Sequence, residues 1–212
     1  MSSVPHPVAR VSGELQEAWS DFVLELLPEI DGFGTFTFKH PQHDATRAVA
    51  MFQAAIFRWR MEQAVYDHKA TRDVKTIKNK RGEEIQQVRY RGPAARAWSK
   101  GRGRPIWVLG VEQHKNGSNH LHALVQPVGE VRGRMRRRDL WRIWHEGSAD
   151  GGMGIGRCRI DPPDDRQAVA TYVSKYVCKP GGELYLSPDI ERQPLSAAMA
   201  ARDGQGKTLV SA

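Results

Sequence analysis

Two apolar segments joined by a short polar turn constrain the fold of this chain more than any other feature. The segments are Pro105–Glu112 and His120–Gln126, and both are rich in residues that favour β-strands. The turn between them contains the dipeptide Asn116-Gly117, which is a strong signal for a tight β-hairpin. The sequence therefore predicts a pair of antiparallel strands here.

The second of these strands contains a histidine pair. His120 and His122 are predicted to project from one face, because side chains alternate along a strand. Glu112 lies roughly opposite on the first strand, and His114 has the same parity, so either can complete a divalent metal site. No thiolate stands nearby, which favours Mg²⁺ or Mn²⁺ over zinc. The alternative is that the histidines are half-buried strand residues that bind nothing.

A tyrosine and a lysine recur at a four-residue step in a predicted helix over residues 165–178. Positions three, four and seven apart share a helix face, so both phenols and both ammonium groups would lie together. A phenol, with a pKa of about 10, is a poor nucleophile unless nearby cations activate it. Its attack on phosphorus would give a phosphotyrosine ester and a free 3′-hydroxyl. The alternative is an ordinary amphipathic helix. The repeated residues are Tyr172, Lys175, Tyr176 and Lys179.

Further helices are predicted over residues 13–27, from Asp44 onward and over 135–145, and further strands over 33–38, 74–77, 85–90 and 154–160. In the helix that Asp44 caps, a buried stripe is predicted to contain Val49, Phe52, Ile56 and Trp59. In the helix over 135–145, the apolar residues Leu140, Trp141 and Trp144 are interpreted as core. Residues 94–103 are predicted to be flexible. The expected organisation is an N-terminal helical extension (1–32), a central domain (33–182) and a partly ordered tail (183–212).

The composition favours a polyanionic partner, since the net charge is +8 and the pI is about 9.7. Two cysteines without zinc-site spacing indicate a reducing, cytosolic setting, and neither a signal peptide nor a transmembrane run is expected. Arginines recur in two segments that are candidates for contact with a nucleic acid backbone. These are Arg102, Arg104, Arg132, Arg134, Arg136, Arg137 and Arg138.

Taken together, these motifs resemble those of HUH endonucleases, specifically the rolling-circle replication initiators (Rep) of plasmids and single-stranded DNA phages. The segment His120-Leu121-His122 is similar to the histidine–hydrophobic–histidine motif of that family. Tyr172–Lys175 is similar to its Tyr-x-x-Lys nucleophile motif, and Phe33–Phe38 resembles its first motif, a strand rich in Phe and Thr. The resemblance extends over about residues 33–179.

This resemblance implies an α+β fold with a central antiparallel sheet, similar to an RNA-recognition motif or a ferredoxin, and with flanking helices. It also implies nicking of single-stranded DNA at an origin hairpin, through a 5′-phosphotyrosine intermediate and with Mg²⁺ or Mn²⁺. His120, His122 and Glu112 would hold the metal. Tyr172 would be the primary nucleophile, with Lys175 beside it. Tyr176 is predicted to be a second nucleophile, because some family members alternate two tyrosines on one helix.

Partners follow from the same resemblance. The chain has no Gly-x-x-x-x-Gly-Lys-Ser/Thr phosphate loop, so a host helicase and a host polymerase are expected, in a prokaryotic cytoplasm and without a small-molecule cofactor. Three alternatives remain open. One is a transposase or relaxase with the same motifs, although a tyrosine C-terminal to the histidines argues against the relaxase. The others are a non-catalytic module that binds single-stranded nucleic acid, and an interaction protein.

Overall fold

A computed structural model of the chain describes residues 8–126, 137–146, 155–179 and 182–188. The described part contains five helices and seven strands. The helices are α1 (Val8–Leu26), α2 (Ala45–Tyr66), α3 (Pro93–Ser99), α4 (Arg137–Glu146) and α5 (Arg166–Cys178). The strands are β1 (Gly32–Phe38), β2 (Thr71–Lys78), β3 (Glu84–Arg91), β4 (Ile106–Gln113), β5 (Asn119–Gln126), β6 (Gly156–Asp161) and β7 (Glu183–Leu186).

Five of the strands form one sheet in the order β6-β1-β5-β4-β7, and every neighbouring pair is antiparallel. Strands β2 and β3 form a separate two-stranded hairpin. Helices pack against the five-stranded sheet, so the predicted α+β architecture with a central antiparallel sheet is confirmed. Among the described helices, none combines the length and the apolar composition that crossing a membrane requires.

The predicted hairpin of apolar strands is β4–β5, in the centre of the sheet. Its turn contains Gly117 with φ of +81°, a left-handed conformation that glycine adopts without steric cost. The turn closes through the amide of His114, which donates a hydrogen bond to the carbonyl of Ser118. In this register Glu112 lies directly opposite His120, and Gly110 lies opposite His122.

Helices α2 and α4 cover one face of the sheet. Asp44 caps α2 by accepting a hydrogen bond from the amide of Arg47, as the sequence predicts. The predicted stripe from Val49 to Trp59 is buried on this face. Leu140 and Trp144 of α4 join the same cluster, and burial of this apolar surface fixes both helices on the sheet.

Helices α1 and α5 cover part of the opposite face. Val23 and Leu27 pack with Val173 of α5 against Val108 and Leu124 of the central strands. Helix α5 thereby lies over β4 and β5. These are the strands that contain the predicted metal ligands, so the apolar contacts of α5 bring its tyrosines to them.

Two local interpretations of the sequence are wrong. Residues 93–99 form α3, and Pro93 begins it with a preset φ, so most of the segment expected to be flexible is helical. Trp98 anchors α3 against Phe57, with ring centroids 5.0 Å apart. Trp141 is not core: it is 46% exposed and stacks on His145, because it faces away from the buried side of α4.

Strand β7 lies in the segment predicted to be the C-terminal tail. Tyr185 pairs with Leu109 of β4, so Glu183–Leu186 is an edge strand of the central sheet. Four residues are too few to show a periodic pattern, and only the ladder to β4 defines this strand. The domain boundaries at residues 32 and 182 stay a prediction.

Candidate metal centre and tyrosine pair

Glu112, His120 and His122 come together on the sheet face beneath α5. Nε2 of His120 lies 2.9 Å from Oε2 of Glu112, and Nε2 of His122 lies 3.5 Å from the same oxygen. One potential ligand atom from each residue lies within 4.8 Å of the other two. Because three ligand atoms converge in this way, the group could hold a metal ion, and all three residues are largely shielded from solvent.

Surrounding residues orient the imidazoles. The hydroxyl of Thr35 on β1 lies 3.1 Å from Nδ1 of His122, which leaves Nε2 of that ring directed at Glu112. His114, the alternative third ligand, stacks on His120 with ring centroids 4.2 Å apart and is not part of the group. The structure therefore places Glu112 rather than His114 among the candidate ligands.

The electrostatics of the group suit a cation. Burial opposes a charge on Glu112, but the hydrogen bond from Lys179 and the neighbouring His120 outweigh it and lower the pKa of Glu112 to about 2. Burial, reinforced by His120, lowers the pKa of His122 to about 4. Burial and then His114 likewise lower the pKa of His120. At neutral pH the group is thus a carboxylate with two neutral imidazoles, which are the protonation states that bind metal.

Tyr172 is the accessible phenol of α5. Its hydroxyl lies 3.5 Å from Nε2 of His122, and its side chain is 37% exposed. Nζ of Lys175 lies 3.5 Å from the centroid of the Tyr172 ring, in cation–π contact. Phe33 packs edge-on against the same ring at 5.5 Å. Tyr172 therefore contacts the candidate metal group through its hydroxyl while part of the residue remains exposed to solvent.

Tyr176 is the inner phenol. It is fully buried, and its hydroxyl donates a hydrogen bond of 3.1 Å to Oε2 of Glu112. Its ring stacks parallel to His122 with centroids 5.2 Å apart. Burial and the neighbouring Tyr172 hydroxyl raise the pKa of Tyr176, so this phenol keeps its proton. Lys179 donates a hydrogen bond to the other oxygen of Glu112.

Gly110 makes room for Tyr176 and is not among the residues predicted for the site. A Cβ at Gly110 would lie 2.2 Å from Cδ2 of Tyr176, so the ring rests directly on the backbone of β4. A signal was present, because an isolated glycine inside an apolar strand often marks a close approach of another group. Thr35 was also missed, since a threonine in a strand has no distinctive pattern.

The predicted arginines whose position the structure describes do not lie in elements that carry them to this group. Arg102 and Arg104 precede β4, whereas Glu112 lies near its other end, roughly 20 Å away by the rise of a strand. The Arg104 guanidinium donates to the carbonyl of Trp98 and lies over its ring. Arg137 and Arg138 begin α4, whose apolar side packs on the opposite face of the sheet. Outside the described residues lie Arg132, Arg134 and Arg136.

The described part of the chain thus defines an α+β protein with a candidate metal centre beneath a helix that presents two tyrosines. Comparisons of the chain with protein-family models, with curated proteins and with solved structures give no match. What this site does is therefore inferred from its own residues.

Proposed function

We propose that the protein is a replication initiator endonuclease of the HUH type, which nicks single-stranded DNA at an origin and later rejoins the strand. The observation that supports this most directly is the position of the Tyr172 hydroxyl, 3.5 Å from Nε2 of His122 on a partly exposed side chain. A nucleophile that serves a polymer must be both accessible and close to the group that activates the phosphate. Tyr172 meets both conditions.

In the proposed reaction the phenol oxygen of Tyr172 attacks the phosphorus of a phosphodiester and gives up its proton to solvent. A bond forms between that oxygen and phosphorus, and the bond from phosphorus to the 3′ oxygen breaks. The leaving oxygen takes up a proton and becomes a free 3′-hydroxyl. One ester replaces another, so attack by a 3′-hydroxyl on the phosphotyrosine can rejoin the strand without ATP.

The metal would be Mg²⁺ or Mn²⁺, held by Glu112, His120 and His122. The donor set fits such an ion, since a carboxylate oxygen and two imidazoles converge and the described residues of the group include no thiolate. A bound divalent ion supplies Lewis-acid polarisation of a phosphoryl oxygen. Lys175, placed over the Tyr172 ring, would orient the phosphate or neutralise its charge.

Two features of the fold support the finer proposal of an HUH nickase architecture. The histidines lie on β5, the middle strand of the sheet, and the tyrosine helix lies across the same face. Tyr176 stays a predicted second nucleophile, which would act in strand closure after the first nick. Its hydroxyl contacts Glu112 and is buried, so it would have to be uncovered before it could attack.

The proposal can be tested by capture of a covalent adduct. The protein would be incubated with a library of single-stranded DNA hairpins and Mn²⁺, and the products separated on a denaturing gel. We expect a shifted band that is lost with EDTA and lost in Tyr172→Phe. Tyr66→Phe is a matched control, because Tyr66 is also an exposed helical tyrosine but lies on α2.

Each outcome separates this proposal from its alternatives. Reversible DNA binding without an adduct would indicate a non-catalytic module. An adduct that persists in Tyr172→Phe would contradict the role of that residue. Products joined between two different oligonucleotide sites, rather than a nick closed at one site, would favour a transposase.

A further inference from the structure

The sheet face that contains the candidate metal centre is only partly covered by helices. Helix α5 lies over β4 and β5. On β6, at the edge of the sheet, Arg157 and Arg159 are exposed, and so is Thr37 on β1. Among the described elements, this half of the face is the part of the sheet that remains open beside the centre.

The register of the strands shows that these arginines share the face of the metal centre. Thr35 pairs with His122 on one side and with Arg159 on the other. Residues directly opposite each other in antiparallel strands project from the same face. The contact of the Thr35 hydroxyl with Nδ1 of His122 confirms which face this is. Arg157 follows the same alternation, because it lies two residues before Arg159.

The arginines lie close to the centre. Two strand spacings, or about 10 Å, separate β5 from β6, and an arginine side chain extends well beyond its own backbone. A polymer held at the Tyr172 hydroxyl would therefore have its flanking phosphates within reach of β6. Arg102 and Arg104 lie at the other end of β4, too far from Tyr172 to contact the phosphates next to the nick.

Both guanidinium groups are available to a ligand. Nε of Arg159 lies 2.7 Å from Oδ2 of Asp161, but these side chains are 86% and 51% exposed. A solvent-exposed ion pair of this kind contributes little to stability, so Arg159 can readily exchange Asp161 for a phosphate. Within the described residues no ion pair is formed by the Arg157 side chain, and the Arg157 carbonyl accepts a hydrogen bond from the Thr37 hydroxyl.

We propose that Arg157 and Arg159 form a phosphate-binding strip, which holds single-stranded DNA on one side of the nick. This inference rests on the proposed function and adds a path for the bound strand. Guanidinium groups bind phosphate oxygens through paired hydrogen bonds, and they do so without regard to base identity. The strip would therefore contribute affinity and register, whereas sequence recognition would come from other residues.

The first test measures binding without catalysis. The double variant Arg157→Gln/Arg159→Gln and the unaltered protein would be titrated with a fluorescent oligo(dT) in EDTA at several salt concentrations. Loss of two phosphate contacts should weaken binding about tenfold and reduce the slope of log K against log salt by about 1.4. Both arginines are exposed, so thermal unfolding should not change.

A matched control removes the same charge elsewhere. Lys75→Gln/Arg89→Gln alters two exposed residues on the separate β2–β3 hairpin. This control should bind oligo(dT) far more tightly than the strip variant. An equal loss in the two double variants would overturn the strip and indicate a general effect of charge. Unchanged affinity in the strip variant would overturn it as well.

A second test uses the covalent adduct. Oligonucleotides recovered from the library would be shortened on the 5′ or the 3′ side of the nick. Shortening the flank that the strip holds should slow adduct formation by the unaltered protein. It should not change adduct formation by the strip variant, because that variant already lacks the arginine contacts to this flank. Absence of any adduct together with a tenfold loss in oligo(dT) binding would reject the proposed function and support the strip. An adduct together with unchanged oligo(dT) binding in the strip variant would support the proposed function and reject the strip.

Discussion

The hydroxyl of Tyr176 donates a hydrogen bond to Oε2 of Glu112, which joins the C-terminal half of α5 to a carboxylate on β4. Tyr172, one helical turn earlier, has its hydroxyl near His122 and its side chain partly in solvent. The two phenols share a helix face but differ in depth, with ring centroids 6.0 Å apart. Their chemical roles are therefore expected to differ.

Tyr→Phe substitutions should separate these roles. Tyr172→Phe should abolish the first covalent adduct, because it removes the hydroxyl proposed as the nucleophile. Tyr176→Phe should retain that adduct but lose strand closure, as expected of a second nucleophile. Both reactions can be followed on denaturing gels with a labelled oligonucleotide. If the Tyr176→Phe protein nicks and rejoins DNA fully, Tyr176 is not a second nucleophile. Its remaining role would then be to position Glu112.

Lys179 should weaken metal binding. Its ammonium group bonds Glu112 and would repel a cation held by the same carboxylate. The Lys179→Met variant should therefore bind Mn²⁺ several-fold more tightly than the unaltered protein, as measured by calorimetry. This gain in affinity should be smaller at high salt, because salt screens the repulsion. Lys80→Met, on the exposed turn between β2 and β3, is the control and should leave the affinity unchanged. Weaker binding in Lys179→Met would instead mean that the lysine holds Glu112 in position for the ion.

Gly110→Ala should destabilise the protein. The new methyl group would overlap the ring of Tyr176, which is buried and cannot move without disturbing Glu112. Overpacking of this kind costs about 1–3 kcal/mol of the free energy of unfolding, measurable with urea. The control is Gly13→Ala in α1, where the Cβ meets no atom within 4 Å. That change should be neutral or stabilising, because alanine favours helix. Equal effects of the two variants would argue against the close contact.

The metal-free protein should lose stability as the pH falls below about 6.5. The pKa of His122 drops from 6.5 to about 4 on folding, so between these values the unfolded chain binds more protons. The pKa of Glu112 drops from 4.5 to about 2, which extends the loss to lower pH. The free energy of unfolding in urea with EDTA should thus be highest above pH 6.5. The His122 contribution is on the order of 3 kcal/mol at most, since one pKa unit corresponds to about 1.4 kcal/mol.

A His122→Gln variant provides the comparison for this pH dependence. Glutamine does not titrate, so the slope of stability against pH between 4 and 6.5 should become shallower. His120, whose pKa is also lowered by burial, and Glu112 at the lower end of this range would contribute to the remaining slope. An unaltered slope would show that the stability of the folded state does not depend on neutral His122.

Much of the candidate site follows from local sequence patterns. The Asn116-Gly117 turn and its apolar flanks predict the β4–β5 hairpin, because turn geometry and side-chain alternation act over a few residues. The same alternation puts His120 and His122 on one face, and the turn sets Glu112 opposite them. The sequence does not decide whether Glu112 or His114 joins the group, because side chains two residues apart on a strand project from the same face.

Only the tertiary structure decided what covers that face. Periodicity defines the two faces of the sheet but not which helix lies on each of them. Nothing in the local sequence determines that α4 lies on the face away from the candidate metal centre, or that β6 stays uncovered beside that centre. The burial of Tyr176 on Gly110 and the exposure of Tyr172 arise from packing between α5 and β4. The sequence alone determined which residues could meet, because that depends on local geometry. Which of them do meet, and which stay open to solvent, depends on contacts between segments far apart in the chain.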